Sequence, residues 1–377
     1  MSRLWSAVAA ICDQPFLIVS VVAIAASLSV PKAVPVVHSG ATSVRDMTGA
    51  KIPIQVPASR VIMFPPSLSE YLTLDPDSRH IIGVANYLHL EVADSMLSHV
   101  HPRVSDVPTV VTRGWNTAIP GDPEDVMLRR PDAVISWGWF SDSLKQAALP
   151  VISVTNTLTR PAEEIDLARW RMIASLTAAD SEFASLLSSY RRRMAEAVAA
   201  VEQAKLLAGG NAPSVMYLDV RKSGLIHAEA GSSFFATAIE TAGGVNAAKQ
   251  KRPGTIDVEQ LILWDPEIII LSCNGSDSFP SSLFNDVRFS TLRAVRNKRV
   301  YKAPCGTSRM EGFVEAPLLI DWLSELFYPA EMPRTFRNKL TETYKTFFNY
   351  DVSDDEVDET LAFRENAASR GFERFGR

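Results

Sequence analysis

One long stretch without Pro or Gly, from Ala162 to Ala208, limits what this chain can fold into more than any other feature. Its apolar residues recur at helical spacing, at Ile173, Leu176, Phe183, Leu187, Tyr190, Met194, Val198 and Val201. This spacing predicts helices with one face in a core. Thr177 as N-cap and Asp180 as its partner predict a restart, so we expect two helices, the second over 180–208. At 1.5 Å per residue the second helix would be about 40 Å long, the width of a domain.

Two segments, one on each side of the long stretch, repeat one pattern. Residues 122–137 and 257–272 both begin with Asp, carry Glu two residues later and have Pro seven residues after that Glu. The Asp is a typical N-cap and the Pro a typical helix stop, and a β-branched strand follows in both segments. The long stretch alone is compatible with one more helix in a large core. We call the repetition of this pattern in residues 122–137 and 257–272 the echo. Its presence on both sides of the long stretch predicts two related lobes.

The rest of the chain alternates between strands and helices, which is typical of parallel α/β layers. The predicted strands and hairpin lie at 43–54, 60–64, 80–84, 214–218 and 299–303, and further helices begin at Ser67 and Gly231 or span 317–327 and 336–348. We expect an α/β fold of two lobes with central, mostly parallel sheets, joined by a single long α-helix. The predicted boundaries are 43–178 for the N-terminal lobe, 179–208 for the connecting helix, 212–352 for the C-terminal lobe and 353–377 for a charged, frayed tail.

The N-terminus carries the only long apolar run of the sequence. Arg3 followed by the apolar residues 16–30 has the charge and length of a signal peptide, predicted over 1–29. Asp13 lies between Arg3 and the apolar residues, which is unusual for a signal peptide. The alternative is therefore that this segment stays uncleaved and anchors the protein in the membrane. Export would place Cys273 and Cys305 in an oxidising compartment, where they either form a disulfide or remain buried thiols.

Composition and missing motifs argue against several functional classes. A net charge of −5 without basic clusters argues against nucleic-acid binding. The sequence has neither a Gly-rich phosphate loop followed by Lys-Ser/Thr nor a G-x-S-x-G elbow, so we predict no enzyme and no cofactor. One short segment contains His89, Glu91, Asp94, His99 and His101. Their spacing does not place them on one helical face, which favours a solvated loop over a metal site.

Aromatic residues near predicted strand ends are candidates for ligand contact. They are Tyr87, Trp115, Trp137 and Trp139, the last two placed just past the strand 133–136. Arg309 follows the last strand in the loop 304–312 and would reach the same level from the other lobe. Ligands of open parallel sheets bind outside the carboxyl ends of the strands, so we expect aromatic walls and a cationic contact there. The alternative is that the aromatic residues pack on neighbouring helices and that Arg309 is an ordinary surface residue.

Several short motifs, in a specific order, resemble those of one family of transport receptors. They lie at 60–62, 66–70 (Pro-Ser-x-x-Glu), 82–84, 124–135, 242–246, 259–270, 294–301 and 317–323. Over about 44–350 the chain resembles periplasmic substrate-binding proteins of the ABC importers for ferric siderophores, haem and vitamin B12. The resemblance implies two α/β lobes bridged by one rigid helix, with the ligand between them. It also implies that one Glu on each lobe, here Glu124 and Glu259, docks onto Arg residues of the permease. The alternative role of both is to offset a helix dipole, and the two roles are compatible.

The resemblance also bears on the ligand. Where vitamin B12 binders tend to carry an aromatic residue in the late C-terminal loop, this chain has Ser308-Arg309-Met310, which favours an anionic chelate. Haem binders offer Tyr or His as axial ligand, a role open to Tyr87 or His227. We therefore expect a monomeric, non-enzymatic periplasmic receptor that delivers a ferric-siderophore-type complex to the permease subunits of an ABC importer. The alternatives are a haem or corrinoid receptor, a sensor for a surface partner, and a doubly wound α/β enzyme.

Overall fold

Two sheets, one on each side of a long helix, organise the chain. The computed structural model describes residues 43–64, 67–86, 95–110, 123–138, 141–154, 162–221, 223–231, 233–273, 279–307 and 309–377. The predicted signal peptide therefore lies outside the described residues. Among the residues that are described, no helix combines the length and the hydropathy that crossing a bilayer requires.

The N-terminal lobe is a five-stranded parallel sheet preceded by a small antiparallel hairpin. The hairpin is β1 (Val44–Arg45) and β2 (Lys51–Ile52), and the sheet consists of β3 (Val61–Met63), β4 (Ile81–Ala85), β5 (Thr109–Val110), β6 (Ala133–Trp137) and β7 (Val151–Val154). The order in the sheet is β5-β4-β3-β6-β7. Its helices are α1 (Leu68–Leu74), α2 (Met96–Val100), α3 (Pro123–Leu128) and α4 (Asp142–Gln146). Short helical crossovers between neighbouring strands are what keep this sheet parallel.

The long stretch without Pro or Gly forms two helices, as the sequence predicts. They are α5 (Ala162–Thr177) and α6 (Asp180–Leu207). The face of α6 that packs into the core contains Phe183, Leu187, Tyr190, Met194, Ala197, Val201 and Ala204. The predicted cap is wrong, because α6 starts after Ala179 without a side-chain cap. Thr177 Oγ1 instead bonds back to the carbonyl of Ile173 at 2.9 Å, a local bond that competes with capping.

The C-terminal lobe is built on a six-stranded mixed sheet. Its strands are β8 (Ser214–Val220), β9 (Ile226–Ala228), β10 (Val245–Asn246), β11 (Gly254–Ile256), β12 (Ile268–Leu271) and β13 (Val300–Lys302). The order is β11-β9-β8-β12-β13, with β10 pairing the start of β8. Among the described strands of this sheet, β9 pairs antiparallel with both β8 and β11, and the other pairings are parallel. The helices are α7 (Phe234–Thr241), α8 (Val258–Trp264), α9 (Pro280–Asn285), α10 (Arg293–Arg296), α11 (Ala316–Phe327), α12 (Phe336–Phe348) and α13 (Asp354–Thr360).

The predicted echo is present as a repeated strand pairing. In the N-terminal lobe Val61 of β3 pairs Ala133 of β6, and in the C-terminal lobe Val215 of β8 pairs Ile268 of β12. The residue before each of these pairs makes the same backbone bond: Asp132 N to Arg60 O at 2.8 Å, and Glu267 N to Ser214 O at 2.9 Å. Asp257 caps α8 by accepting from Gln260 N at 2.7 Å, as predicted, whereas Asp122 lies outside the described residues. The two lobes therefore share one structural unit.

A continuous hydrophobic core joins the two lobes. Trp170 of α5 is fully buried and packs against Phe183 of α6 and Phe313, with ring centroids 5.2 and 5.1 Å apart. Residues 317–327 of α11 are all buried, and this helix packs on α6. Apolar side chains from both lobes thus pack around α5 and α6, which favours a small closure of the lobes over a wide hinge motion.

The segment 353–377 is packed, which contradicts the charged, frayed tail predicted from the sequence. Ser353 forms a capping box with Glu356 at the start of α13, and Phe372 and Phe375 are buried. Asn366 is buried and bonds to both the N–H and the carbonyl of Lys302, at 2.7 and 3.0 Å. The prediction was wrong because it relied on the many charged residues of this segment. Its few aromatic side chains pack in the core and hold the segment in place.

Candidate functional site

The carboxyl ends of the two sheets meet between the lobes. Met96, in the segment after β4, donates its backbone N–H to the carbonyl of Gly306 after β13 at 3.0 Å. Ser69, after β3, lies so close to Gly312 that a Cβ on this glycine would be 3.3 Å from Ser69 Oγ. In parallel sheets this edge is where ligands bind. The candidate site is therefore the space between these two edges.

On the N-terminal side, the aromatic candidates are only partly within the described residues. Tyr87, Trp115 and Trp139 lie outside them. The strand β6 extends one residue further than predicted, so Trp137 is its last residue and pairs with Val154 of β7. Only 9% of Trp137 is exposed, and it belongs to the hydrophobic core. Trp137 therefore packs mostly inside the lobe, at the carboxyl end of its strand.

Arg309 lies in the loop after β13, as expected, and has two close neighbours. Its backbone is left-handed, with φ of 54°, and the next residue, Met310, is also left-handed and fully buried. The guanidinium lies 5.5 Å from the ring centroid of Phe235, within cation–π range. It also forms an ion pair with Glu311. The buried Met310 fixes the loop, and a third of the Arg309 side chain remains exposed.

Arg309 packs beside a pair of aromatic residues, Tyr217 and Phe235, that the sequence did not predict. Tyr217 of β8 stacks on Phe235 of α7 with ring centroids 3.9 Å apart and planes 15° apart, and Phe234 packs edge-on against Phe235. Burial raises the pKa of Tyr217 despite the opposing influence of Arg309, so the phenol stays neutral. The available signal was the doublet Phe234-Phe235 at the start of a helix that follows a strand of the sheet. We name Tyr217, Phe235 and Arg309 the aromatic–cationic layer.

Two residues before α7 fix the position at which this helix begins. Ser233 caps the helix by accepting from Ala236 N at 3.3 Å. Gly231 has φ of 61°, and a Cβ there would lie 2.0 Å from the carbonyl oxygen of Lys251, so only glycine fits. These two residues hold Phe234 and Phe235 at the carboxyl end of β8.

The loop that carries Arg309 is fixed from both ends. Cys273 and Cys305 form a disulfide with Cα atoms 5.3 Å apart, joining the segments that follow the paired strands β12 and β13. Of the two alternatives that the sequence left open, the structure therefore has the disulfide. Further along, the buried carboxylate of Glu315 accepts hydrogen bonds from Thr307 N at 2.9 Å and from Tyr344 OH at 2.5 Å. A Cβ on Gly306 would collide with Glu315, so the loop passes tightly over this carboxylate.

A buried ion cluster lies on the N-terminal side of the same edge. Glu70, the last residue of the Pro-Ser-x-x-Glu motif, is buried and accepts from Arg169 of α5 at 2.8 Å. Arg169 also pairs with Asp166 at 2.9 Å. Burial raises the pKa of Asp166, and Arg169 opposes this shift. The motif thus fastens α1 to α5, a structural role close to the site.

The two predicted docking residues occupy equivalent exposed positions. Glu124 lies on the first turn of α3 and Glu259 on the first turn of α8, and both are exposed. The helices that carry them precede β6 and β12, the two strands matched by the echo. Each lobe therefore presents one exposed carboxylate from the same structural position.

The described part of the segment predicted as a solvated loop is partly helical, with His99 in α2, and its histidines do not converge on one point. His99 Nδ1 lies 3.0 Å from Glu356, whereas the ring of His101 packs edge-on against Phe348. Burial lowers the pKa of His101 to about 4, so it is neutral at pH 7. No group of three or more His, Cys, Asp or Glu residues with metal-binding geometry occurs in the described part of the chain. His89, Glu91 and Asp94 lie outside that part.

Two similar α/β lobes around a connecting helix, with the carboxyl edges of the sheets facing each other, define the class of two-lobed solute-binding proteins. The chain belongs to the periplasmic binding protein family, whose model matches residues 78–305, more than half of its length. It is similar to a periplasmic solute-binding protein from Veillonella parvula, at 25% identity over 86% of this chain and 98% of that one, with a TM-score of 0.73. No curated protein sequence matches it.

Two further solved structures share the fold. One is a Helicobacter pylori protein solved as a nickel–histidine complex, with 19% identity, coverage of 85% of this chain and 98% of that one, and a TM-score of 0.64. The other is a periplasmic haem-binding protein from Pseudomonas aeruginosa, with 19% identity, coverage of 72% and 94%, and a TM-score of 0.57. At such identities the likeness concerns the fold alone. The family function is to bind a solute for an ABC transporter, and the ligand has to be argued from the residues of this chain.

Proposed function

We propose that this protein is a periplasmic receptor that captures an anionic ferric-siderophore-type complex between its lobes and delivers it to an ABC importer. The observation that carries the proposal is the aromatic–cationic layer at the carboxyl end of the C-terminal sheet. Tyr217 and Phe235 are buried, so their stacked rings hold the guanidinium of Arg309 in place, and the exposed third of the Arg309 side chain suits an anionic ligand such as a catecholate chelate.

Arg309 is suited to this role because its guanidinium has more donors than its neighbours use. It offers five N–H groups in a planar fork, and Glu311 can accept only part of them. An anionic chelate would share the fork with Glu311 or displace that side chain, which then turns to solvent. Either exchange keeps the guanidinium paired, so the ligand avoids the cost of leaving a desolvated cation without a partner.

A binding role, with no turnover of the ligand, agrees with the groups at this edge. The carboxylates of Glu70 and Glu315 are each occupied by structural partners. The Tyr217 phenol stays protonated because burial raises its pKa. In the described part of the site these groups hold the backbone in place, and none combines a nucleophile with a neighbouring base.

We further propose that Glu124 and Glu259 dock the receptor onto the permease subunits at the membrane. Both carboxylates are exposed, one on each lobe, at structurally equivalent positions. Charges at such a rim act on the encounter with the partner and leave the ligand site unchanged. The receptor would act as a monomer, because its two lobes together present the pair of carboxylates.

Titration of the purified protein by tryptophan fluorescence tests the ligand assignment. We expect quenching at low concentrations of ferric catecholate or ferric citrate complexes, and much weaker responses to cyanocobalamin and haemin. Tight haemin binding without binding of any ferric chelate would overturn the assignment in favour of a haem receptor. Binding of neither class would remove the proposed ligand altogether.

A further inference from the structure

Two pairs of apolar side chains are exposed on the helices that carry Glu124 and Glu259. On α3 they are Met127 and Leu128, which are 48% and 82% exposed, and on α8 they are Ile262 and Leu263, at 39% and 78%. Contact of an apolar side chain with water is unfavourable, although single exposed apolar residues are common on protein surfaces. A pair that occurs at the same place in both lobes calls for a common explanation.

The two helices match position by position. In each, an exposed Glu is followed two residues later by a fully buried apolar residue, Val126 in α3 and Leu261 in α8, and then by the exposed pair. Two residues past the pair the backbone turns left-handed in both helices, at Arg130 with φ of 46° and at Asp265 with φ of 38°. Each lobe therefore presents one carboxylate and one apolar pair in the same local geometry. We name these two surfaces the twin patches, formed by Glu124, Met127 and Leu128 in one lobe and by Glu259, Ile262 and Leu263 in the other.

Both twin patches rest on helix ends that are clamped by an arginine. Arg60 Nε donates to the carbonyl of Arg130 at 3.0 Å, and Arg293 Nε donates to the carbonyl of Asp265 at 3.2 Å. The two arginines come from different parts of the fold, yet they satisfy the same left-handed turn. A surface held in this way loses little conformational entropy when it binds a partner.

We propose that the apolar pairs of the twin patches are hydrophobic anchors for the importer permease, each filling an apolar depression beside a basic side chain that pairs with the adjacent Glu. This inference rests on the proposed function and adds residues to the docking surface. A partner that displays the same surface twice fits a chain that carries the same patch on each lobe. The acidic first turns call for a basic partner surface, and they disfavour insertion of the leucines into an anionic lipid headgroup layer. A second copy of this chain fits less well, because its patches carry the same negative charge.

The test measures binding of the ligand-free receptor to the importer, with its permease and ATPase subunits reconstituted in lipid nanodiscs. The variants are Met127→Ser with Leu128→Ser, Ile262→Ser with Leu263→Ser, and all four together. Leu206→Ser with Leu207→Ser is the matched control, since this pair at the end of α6 is 80% and 66% exposed but lies outside the twin patches. Circular dichroism melting checks that each variant is folded.

We expect each pair to weaken binding about tenfold and the four changes together to weaken it more, as for anchors at the centre of an interface. The control should bind like wild type. Wild-type affinity in the four-residue variant, with binding lost on reversing Glu124 and Glu259, would overturn the inference and leave the proposed function standing. A receptor that never binds the importer would instead refute both. A wild-type dimer in gel filtration that the four changes convert to monomer would identify a second copy of the chain as the occupant and refute the inference.

Discussion

His99 Nδ1 lies 3.0 Å from Glu356 Oε1, and this contact joins the N-terminal lobe to the last segment of the chain. Glu356 also accepts from Ser353 N at 2.8 Å and from the Tyr350 hydroxyl. Burial would raise the pKa of Glu356, but the hydrogen bonds from Tyr350, Ser353 and His99 outweigh it and lower the pKa to about 2. A charged carboxylate therefore links α2 to α13 across the lobes.

This contact predicts a pH dependence of stability. A carboxyl group with a depressed pKa stabilises the folded state above its unfolded pKa, and the contribution is lost as the pH falls through the folded value of about 2. We expect Glu356→Gln to lower the melting temperature at pH 7, and we expect the difference from wild type to shrink between about pH 5 and pH 2. Glu365→Gln, an exposed position in the same segment, is the control. Parallel pH profiles for wild type and Glu356→Gln would contradict the role of this carboxylate.

Reversing the two docking charges tests the proposed contact with the permease. We expect Glu124→Lys with Glu259→Lys to abolish uptake while the affinity for the ferric chelate changes by less than about twofold, because rim charges act at the partner interface. Glu196→Lys with Glu202→Lys, on the exposed face of α6, adds the same charge elsewhere and should transport normally. Normal uptake by the first variant would refute the docking role.

Removing Arg309 tests the cationic contact. We expect Arg309→Ala to weaken binding of an anionic ferric catecholate by about 1.5–3 kcal/mol, the range for hydrogen bonds to charged groups. Phe235→Leu should weaken binding of the anionic chelate less than Arg309→Ala does, because it removes the buried ring that supports the guanidinium and leaves the charge. Arg221→Ala is the control, since Arg221 pairs with Asp219 at 3.2 Å on the same sheet. If Arg309→Ala bound as tightly as wild type and Arg221→Ala did not, the charge would come from Arg221.

The disulfide gives a prediction about stability. Cys273 and Cys305 are 32 residues apart, so removing their link frees a loop of this length in the unfolded chain. Loop-closure entropy then predicts that Cys273→Ala with Cys305→Ala lowers the free energy of unfolding by about 3–4 kcal/mol. Urea unfolding of the variant and of wild type measures this difference. Free thiols at both positions in unreduced, unfolded wild type would show that the pair does not form.

The architecture was predictable because it depends on patterns that repeat. The spacing of apolar residues predicted α6 to within one residue at its end, and the echo around Glu124 and Glu259 predicted two related lobes, which share a strand pairing. Helical period and Asp or Pro boundary signals act locally, so a sequence displays them directly.

The site was less predictable because it depends on contacts between distant segments. Tyr217 and Phe235 become a stacked pair only when β8 and α7 pack together, and nothing in the spacing of the two residues indicates it. Trp137 was placed one residue beyond its strand, since the last ladder pair with Val154 is a tertiary contact. The buried Phe372 and Phe375 were missed for the same reason, because Phe372 packs on Tyr301 and Phe375 packs on Trp322 and Phe336, all distant in the chain.

The mass of the molecule bound in the cell tests the central claim most directly. The protein is purified from the periplasm of iron-limited cells without a denaturing step and measured by native mass spectrometry. We predict an added mass equal to iron plus one or more organic chelators, which leaves when the iron is reduced and trapped by a strong iron(II) ligand. An added mass equal to haem or a corrinoid, or a bound molecule that stays when iron is withdrawn, would contradict the account.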